Sequence, residues 1–340
     1  MDVPCVRVAP KHGEAVRSRL ADADVVADEF DITVEERWLY IPIRDVEEAT
    51  DALEGSAAET EGKVIAYDVV DYAAPPRKTQ TMPADILGWE PSYERLGETA
   101  LLEEDDDERA REIARAIADS DLPLETVLNK ASKIKGETRV RDWDVLAGEG
   151  TTVVHREYGC TFELDLAEVY FSPRLATERH RVAQQVTTGE RAFDMFAGVG
   201  PFVIPFAKRG AECVGVDVNE TAIEYLRINA ERNGVEDRVT AICADVRSVA
   251  PEYGNWADRI VMNLPHSADE FLESAVTIAG DDCLVHYYDI QHEDDPFGPG
   301  ERTIREAAEP AYEVSVETRR VVRSYAPHEL NVCLDVRLER

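Results

Sequence analysis

Four polar side chains stand where apolar runs break off: Asp194 in "RAFDMFAGVG", Asp217 in "ECVGVDVN", Asp245 in "VTAICADV" and Asn263 in "DRIVMNLP". Open parallel sheets bind ligands at the carboxyl ends of their strands, which is where each of these residues falls. Gly198 and Gly200, just after Asp194, let a backbone approach a ligand closely. Asp217 lies at a distance suited to hydrogen-bonding a ribose diol. Asp245 offers an acceptor for an exocyclic adenine amine. The "AGVG" turn lacks the full GxGxxG spacing, and no lysine-threonine pair follows, so dinucleotides and triphosphates fit poorly. A ribose carboxylate, an adenine carboxylate and close-approach glycines describe a pocket for S-adenosylmethionine, with Phe196 and Pro201 as its walls. The alternative is that these acids only cap turns.

Asn263 is followed two places on by Pro265, whose fixed φ holds the amide rigidly beside the cofactor's methyl group. That suits a flat heterocycle. Methylases of exocyclic amines place two prolines and an aromatic residue after such an Asn or Asp; here the series is "NLPH", with Leu264 and His266 in two of those places. The departure favours a ring nitrogen as acceptor.

The elements that must carry these residues alternate. From residue 167 to 340, strand-like and helix-like runs follow one another, as in a parallel sheet covered on both faces. "ETAIEYLRINAERNG" is a helix with a glycine stop. Residues 1–72 mix short strands with one helix and form a small α+β module. Residues 73–92 are rich in proline and polar side chains, as in a linker. Residues 93–166 form an α+β middle region, with six consecutive acids from Glu103 to Glu108 that favour the N-terminal end of the helix "ERAREIARAIADSD".

With 37 Lys+Arg against 70 Asp+Glu in 340 residues, the formal net charge is -33. Phosphate binding ordinarily leaves a basic footprint. The acids, however, are spread through every segment and 44% of residues are hydrophobic, which describes a folded surface adapted to molar salt rather than an acidic tail. In such salt, charge attraction is already weak: six to ten phosphate contacts lose roughly 10³ to 10⁵ in affinity over a fourfold salt rise. Overall sign therefore does not exclude RNA. No signal peptide or long apolar run is present, which points to the cytoplasm and away from membranes. Cys5, Cys160, Cys213, Cys243, Cys283 and Cys333 are scattered and read as buried thiols. His155, His180, His286 and His292 lack metal-site spacing, so no catalytic metal centre is expected.

"KASKIKGETRVRDWDVLAGE", "HREYGC", "YFSPRLATER", "DMFAGVGPF", "MNLPHSADEFL", "HYY" and "SYAPHE" occur in that order over about residues 126–331. In these stretches the chain resembles the archaeal and eukaryotic tRNA guanosine N1-methyltransferases, which modify the purine 3′ of the anticodon at position 37. The resemblance implies a Rossmann-like class I S-adenosylmethionine-dependent methyltransferase domain, an RNA-binding middle domain, and a tethered N-terminal domain that inspects the tRNA outer corner. It further implies that Glu178 is the general base and Arg139 the guanidinium facing guanine O6, with Arg141 the other candidate. Asn263 would fix the base edge. Guanine N1 carries a proton at neutral pH, so a base and a stabiliser of charge on O6 are both required. Tyr170 would stack on the base beside Pro265, and Arg174 would approach the cofactor's carboxylate. tRNA is the expected partner, with no protein partner and a monomeric chain. Magnesium is compatible with the family, though no ligand set for it is legible. The transferase of wyosine-base synthesis, which moves the aminocarboxypropyl group of the same cofactor, and a non-catalytic RNA-binding protein remain as alternatives.

Overall fold

Residues 2–54, 59–60, 63–77, 80–132 and 140–340 are described by the computed structural model. Contacts divide the chain into two units, Met1–Gln80 and Thr81–Arg340.

The first unit holds β1 (Val3–Val8), α1 (Gly13–Asp22), β2 (Thr33–Glu35), β3 (Trp38–Pro42), α2 (Val46–Glu54), the short pair β4 (Glu59–Thr60) and β5 (Lys63–Val64), and β6 (Tyr67–Tyr72). Its antiparallel sheet runs β2-β3-β1-β6. Val6 and Val8 on β1 and Ile41 on β3 pack against Val16 and Leu20 of α1, four residues apart on one helix face.

The second unit begins with α3 (Pro83–Leu87), β7 (Glu94–Leu96), β8 (Thr99–Leu102), α4 (Asp107–Asp119), β9 (Thr126–Lys130) and β10 (Trp143–Ala147). These strands form the sheet β10-β9-β8-β7, and α4 buries Ile113, Ala114 and Ile117 against it. Leu87 and Trp89, within the proline-rich stretch, pack on the same cluster. The acidic run serves as a cap: the Asp106 side chain accepts from Glu108 N at 2.9 Å and Arg109 N at 3.1 Å.

Next come β11 (Thr152–Glu157), β12 (Cys160–Asp165), α5 (Ala176–Ala183), β13 (Arg191–Asp194), α6 (Val203–Lys208), β14 (Glu212–Asp217), α7 (Glu220–Arg232), β15 (Val239–Cys243), α8 (Val246–Val249), β16 (Ala257–Met262), α9 (Leu272–Ile278), β17 (Ala279–His292), α10 (Gly298–Ala308), β18 (Glu313–Ala326) and β19 (Glu329–Glu339). A seven-stranded sheet has the order β15-β14-β13-β16-β17-β19-β18. Neighbours from β15 through β17 are parallel; the β18–β19 hairpin joins antiparallel. The order reverses between β13 and β16, so their carboxyl ends diverge and open a crevice there. Hydrophobic clusters cover both faces of the sheet. Fully buried Asn229 on α7 ties β12 down, accepting from Glu163 N at 2.7 Å and donating to Val199 O at 3.0 Å.

The hairpin was not among the strands expected from sequence. Of the six cysteines, Cys243 is exposed, contrary to expectation, because it ends the edge strand β15; the other five are buried.

Candidate active site

The crevice at the carboxyl ends of β13–β16 encloses about 1250 Å³ counting its open mouth.

One half is made by the turns after β13, β14 and β15. Gly198, at φ +50°, has no atom within 4 Å of where a Cβ would stand, so its bare face is open to the crevice. Gly200, at φ +91°, behaves differently: a Cβ there would meet Leu226 Cδ1 at 2.5 Å and Ile204 Cγ1 at 3.1 Å. It lets α7 pack close to the turn and does not line the crevice. The expectation of two ligand-facing glycines is corrected to one. Asp217 lines the crevice and accepts from Gly198 N at 2.8 Å and Asn219 N at 2.9 Å, which fixes the carboxylate at the strand end. Burial raises its pKa above the ordinary value, and the backbone donors oppose that rise. Asp245 is also in the wall, capping α8 through Arg247 N at 2.9 Å and paired with the Arg247 guanidinium, which holds its carboxyl below the usual range. Phe196 and Phe271 meet edge to face at 5.0 Å and give that half an apolar wall, with Pro201 on the turn.

Asp194 lies beneath this floor rather than in it. Its Oδ1 accepts from Phe196 N at 3.1 Å, while Oδ2 is buried with no hydrogen-bond partner. Burial, with the Asp217 charge adding, pushes its carboxyl up to about 7.

The other half is formed by the turn after β16 and the segment before α5. Asn263 and Pro265 line it. The turn is braced twice: Ser267 N donates to Leu264 O at 3.0 Å, and Ile290 N on β17 donates to Pro265 O at 3.1 Å. Among the described residues the Asn263 side chain makes no hydrogen bond, so its donor and its acceptor are unclaimed at the crevice wall. Tyr170 lines this half and an adjoining cleft that also holds Lys130, Arg141 and Arg174.

Arg174 is not in the crevice. It is exposed and paired with Glu94, which corrects its expected place beside the cofactor. Arg139 lies outside the described residues; Arg141 is half-buried, its guanidinium 5.6 Å from the Trp143 ring centroid. Arg179, one turn of α5 beyond Leu175, takes a place in the wall instead, held by Glu157 at 2.6 Å through two nitrogens.

Glu178 is 4% exposed and sits on the flank of α5 beside Arg179, behind the wall and not in it. Arg181 holds it through Nη2 at 2.7 Å and Nε at 2.9 Å. Tyr288 Oη donates to it at 3.1 Å, and the half-exposed Arg320 forms an ion pair with it, Nε lying 2.9 Å from Oε2. Behind it runs a chain of alternating charge. Arg181 also donates to Asp335 at 2.6 Å; the Nδ1 of His286 donates to Asp335 at 2.6 Å; Arg259 donates to His286 Nε2 at 2.6 Å and pairs with Glu190. His286 is neutral here because burial lowers its pKa, and the Arg259 donor fixes the proton on Nδ1. His286, Cys333 and Asp335 place three donor atoms within 4.8 Å of one another, but guanidinium groups supply the positive charge that a metal ion would bring.

The hairpin contributes residues that the strand-end rule did not indicate. Arg323 and Tyr325 on β18 and Asn331 on β19 line the crevice, and His266 Nε2 meets Tyr325 Oη at 3.0 Å. The alternation of "YEVSVETRRVV" and "LNVCLDVRL" was the available signal.

Comparisons with known proteins bear on the whole chain. Three family models match: the tRNA methyltransferase 5 N-terminal domain at residues 5–51, the TYW2 N-terminal domain at 79–151, and the TRM5/TYW2 methyltransferase domain at 153–317. The chain is 38% identical over 338 residues to a Pyrococcus abyssi protein named tRNA (guanine(37)-N(1))-methyltransferase Trm5b, covering 98% of each. It is 36% identical to a Pyrococcus horikoshii tRNA(Phe) (4-demethylwyosine(37)-C(7)) aminocarboxypropyltransferase over 219 residues, 64% of this chain and 78% of that one. The crystal structure of wild-type Trm5b from Pyrococcus abyssi superposes with a TM-score of 0.71 at 37% identity, covering 99% of this chain and 100% of that one. A complex of aTrm5 with tRNALeu superposes with a TM-score of 0.72 at 30% identity, covering 98% and 99%.

Proposed function

Because the chain belongs to the TRM5/TYW2 methyltransferase family, we propose that it transfers the methyl group of S-adenosylmethionine to N1 of guanosine 37 in tRNA. The observation that carries the assignment is the span of the match. The N1-methyltransferases of Pyrococcus abyssi and Methanocaldococcus jannaschii correspond over 98–99% of the chain, N-terminal unit included, whereas the aminocarboxypropyltransferases of Pyrococcus horikoshii and Methanocaldococcus jannaschii correspond over 64–73%.

The crevice supports the cofactor's place. Gly198 offers an open backbone face, Asp217 an anchored acceptor at the ribose distance, Asp245 an acceptor on the adenine side, and Phe196 with Phe271 an apolar wall for a flat ring. When bound, the cofactor supplies an electrophilic methyl on a sulfonium. Asn263, unclaimed and braced through Pro265, holds the Watson–Crick edge of the guanine, and Tyr170 offers a stacking face worth about 1–3 kcal/mol. Glu178 is the general base, and since its carboxylate stands behind the wall, docking of the tRNA has to bring guanine N1 within reach of a Glu178 oxygen. N1 then loses its proton to that oxygen as the N1–CH3 bond forms and the sulfonium S–CH3 bond breaks, and the developing O6 charge is met by Arg139 or Arg141. The formal net charge of -33, spread through every segment, supports a chain adapted to a salt-rich cytoplasm.

The test is to incubate protein, methyl-labelled cofactor and tRNA transcripts with or without guanosine 37 in high potassium chloride, then digest the product and identify the modified nucleoside. Label in 1-methylguanosine, from the guanosine-37 transcript alone, is expected. Equal labelling of both transcripts would overturn the site, and label retained only from a carboxyl-labelled cofactor would show aminocarboxypropyl transfer. Glu178→Gln should cut single-turnover methyl transfer by roughly 10² to 10⁴ with cofactor affinity kept.

A further inference from the structure

The Glu178 carboxylate accepts three hydrogen bonds. Oε1 takes two, from Arg181 Nη2 at 2.7 Å and Tyr288 Oη at 3.1 Å, and Oε2 takes one, from Arg181 Nε at 2.9 Å. An ionised carboxylate offers about four lone-pair sites. A lone pair therefore stays open on Oε2, where Arg320 is an ion-pair neighbour. A base in this state needs no donor to leave. What it needs is to keep that lone pair turned one way.

Arg181 does this with one edge of its guanidinium, and Asp335 holds another: Nη1 donates to Oδ2 at 2.6 Å and Nη2 to Oδ1 at 3.1 Å. Two nitrogens grip each carboxylate. Because the guanidinium is planar, with its donors in a fixed fork, the orientation of one carboxylate sets that of the other. Glu178 and Asp335 stand on different elements, α5 and β19, so the fork also ties the helix to the sheet. Asp335 is itself pinned. It is 1% exposed, and its Oδ1 accepts at 2.6 Å from Nδ1 of His286, its fully buried register partner on β17. Burial opposes ionisation of Asp335, but the hydrogen bonds from His286 and Arg181 outweigh it and hold the carboxyl well below the usual range. Asp335 is therefore charged at any pH near neutrality, and Arg181 divides its charge between two carboxylates instead of closing on Glu178 alone.

We propose that Asp335 is a positioning residue for the general base and acts on it through Arg181. It does not line the crevice, and among the described residues no hydrogen bond joins it to Glu178. Its part is to fix the plane of the Arg181 guanidinium, so that Oε2 of Glu178 keeps its open lone pair in one direction, and to take up part of the cation's charge, so that this lone pair remains available to a proton. The proposal rests on Glu178 as the base.

Asp335→Asn keeps the size of the side chain and an oxygen for His286, but removes the charge and one arm of the grip on Arg181. It should slow single-turnover methyl transfer roughly 10- to 150-fold, the worth of one hydrogen bond to a charged group, while KM for tRNA and affinity for S-adenosylhomocysteine stay within about twofold. The deciding measurement is a double-mutant cycle. In a Glu178→Gln background, where no base is left to position, Asp335→Asn should cost nothing further. Losses that multiply, or a fall in tRNA or cofactor affinity with the rate kept, would show a structural part only and overturn the proposal. If Asp335→Asn does not fold, Arg181→Lys tests the same link, since an ammonium keeps the charge but cannot set two carboxylates in one plane. It should slow the enzyme that retains Glu178 and leave the Glu178→Gln enzyme no slower. Glu178→Gln alone distinguishes the two failures: if it keeps the full rate, the base assignment itself is wrong; if it is slow and the losses multiply, only the positioning role falls.

Discussion

Gly198 and Gly200 are two residues apart and identical in type, yet their surroundings assign them opposite consequences when a methyl group is added. At Gly200 the new Cβ would lie 2.5 Å from Leu226 Cδ1 and 3.1 Å from Ile204 Cγ1, at φ +91°. A left-handed backbone costs an L-residue roughly 1–2 kcal/mol, and forcing a carbon into a packed core roughly 1–3 kcal/mol. Gly200→Ala should therefore lose about 2–5 kcal/mol of stability. At Gly198 only the backbone cost applies, about 1 kcal/mol at φ +50°, because nothing stands within 4 Å. The methyl group there projects into the crevice, and the same crowding penalty falls on the ligand: Gly198→Ala should weaken cofactor binding roughly 5- to 150-fold. Guanidinium chloride unfolding and calorimetric titration with S-adenosylhomocysteine measure the two effects separately. Equal destabilisation by both substitutions, or affinity lost at Gly200 and kept at Gly198, would refute the division of labour drawn from the packing.

Asp194 gives a pH test. Its folded carboxyl is raised from 3.8 to about 7, so the stability it permits is complete below 3.8 and lost as pH rises through 7. At 1.36 kcal/mol per pH unit the loss is on the order of 4 kcal/mol, and Asp194→Asn should gain on the wild type between pH 5 and pH 8; a gap independent of pH would discard the assignment. Removal of residues 1–80 should leave a folded protein that still binds S-adenosylhomocysteine but holds tRNA at least tenfold more weakly, since the contact division falls at Gln80; insoluble protein would show that the second unit depends on the first.

What the sequence disclosed follows from what a strand end can reveal. Asp217, Asp245, Asn263, Phe196 and Gly198 are all within a few residues of the carboxyl terminus of a parallel strand, and the topology of an open sheet carries such residues to one edge whatever the details of packing. Direction on a helix is different. Glu178 and Arg174 flank the start of α5, and only the packing of that helix against β17 and β18 determines that Arg179 faces the crevice, Glu178 the buried charge chain, and Arg174 the cleft beside Glu94. Gly200 could not be told from Gly198, because the Leu226 methyl that separates them comes from α7. The β18–β19 hairpin had a legible alternation, but nothing in that alternation points to the crevice; only the register, which sets Arg323 opposite Asn331, brings both there.

Strand β19 is inserted between β17 and β18 in the sheet. A chain leaving the ribosome with everything through β18 complete would still expose the bare edge of β17 and lack Asn331 and Asp335, so Arg181 would keep Glu178 alone as its partner and the crevice would lack the part of its wall that Asn331 supplies. Competence is thus withheld until the last strand has threaded into its gap. A nascent polypeptide tethered beside the pool of tRNA at the decoding machinery has no finished pocket with which to capture one.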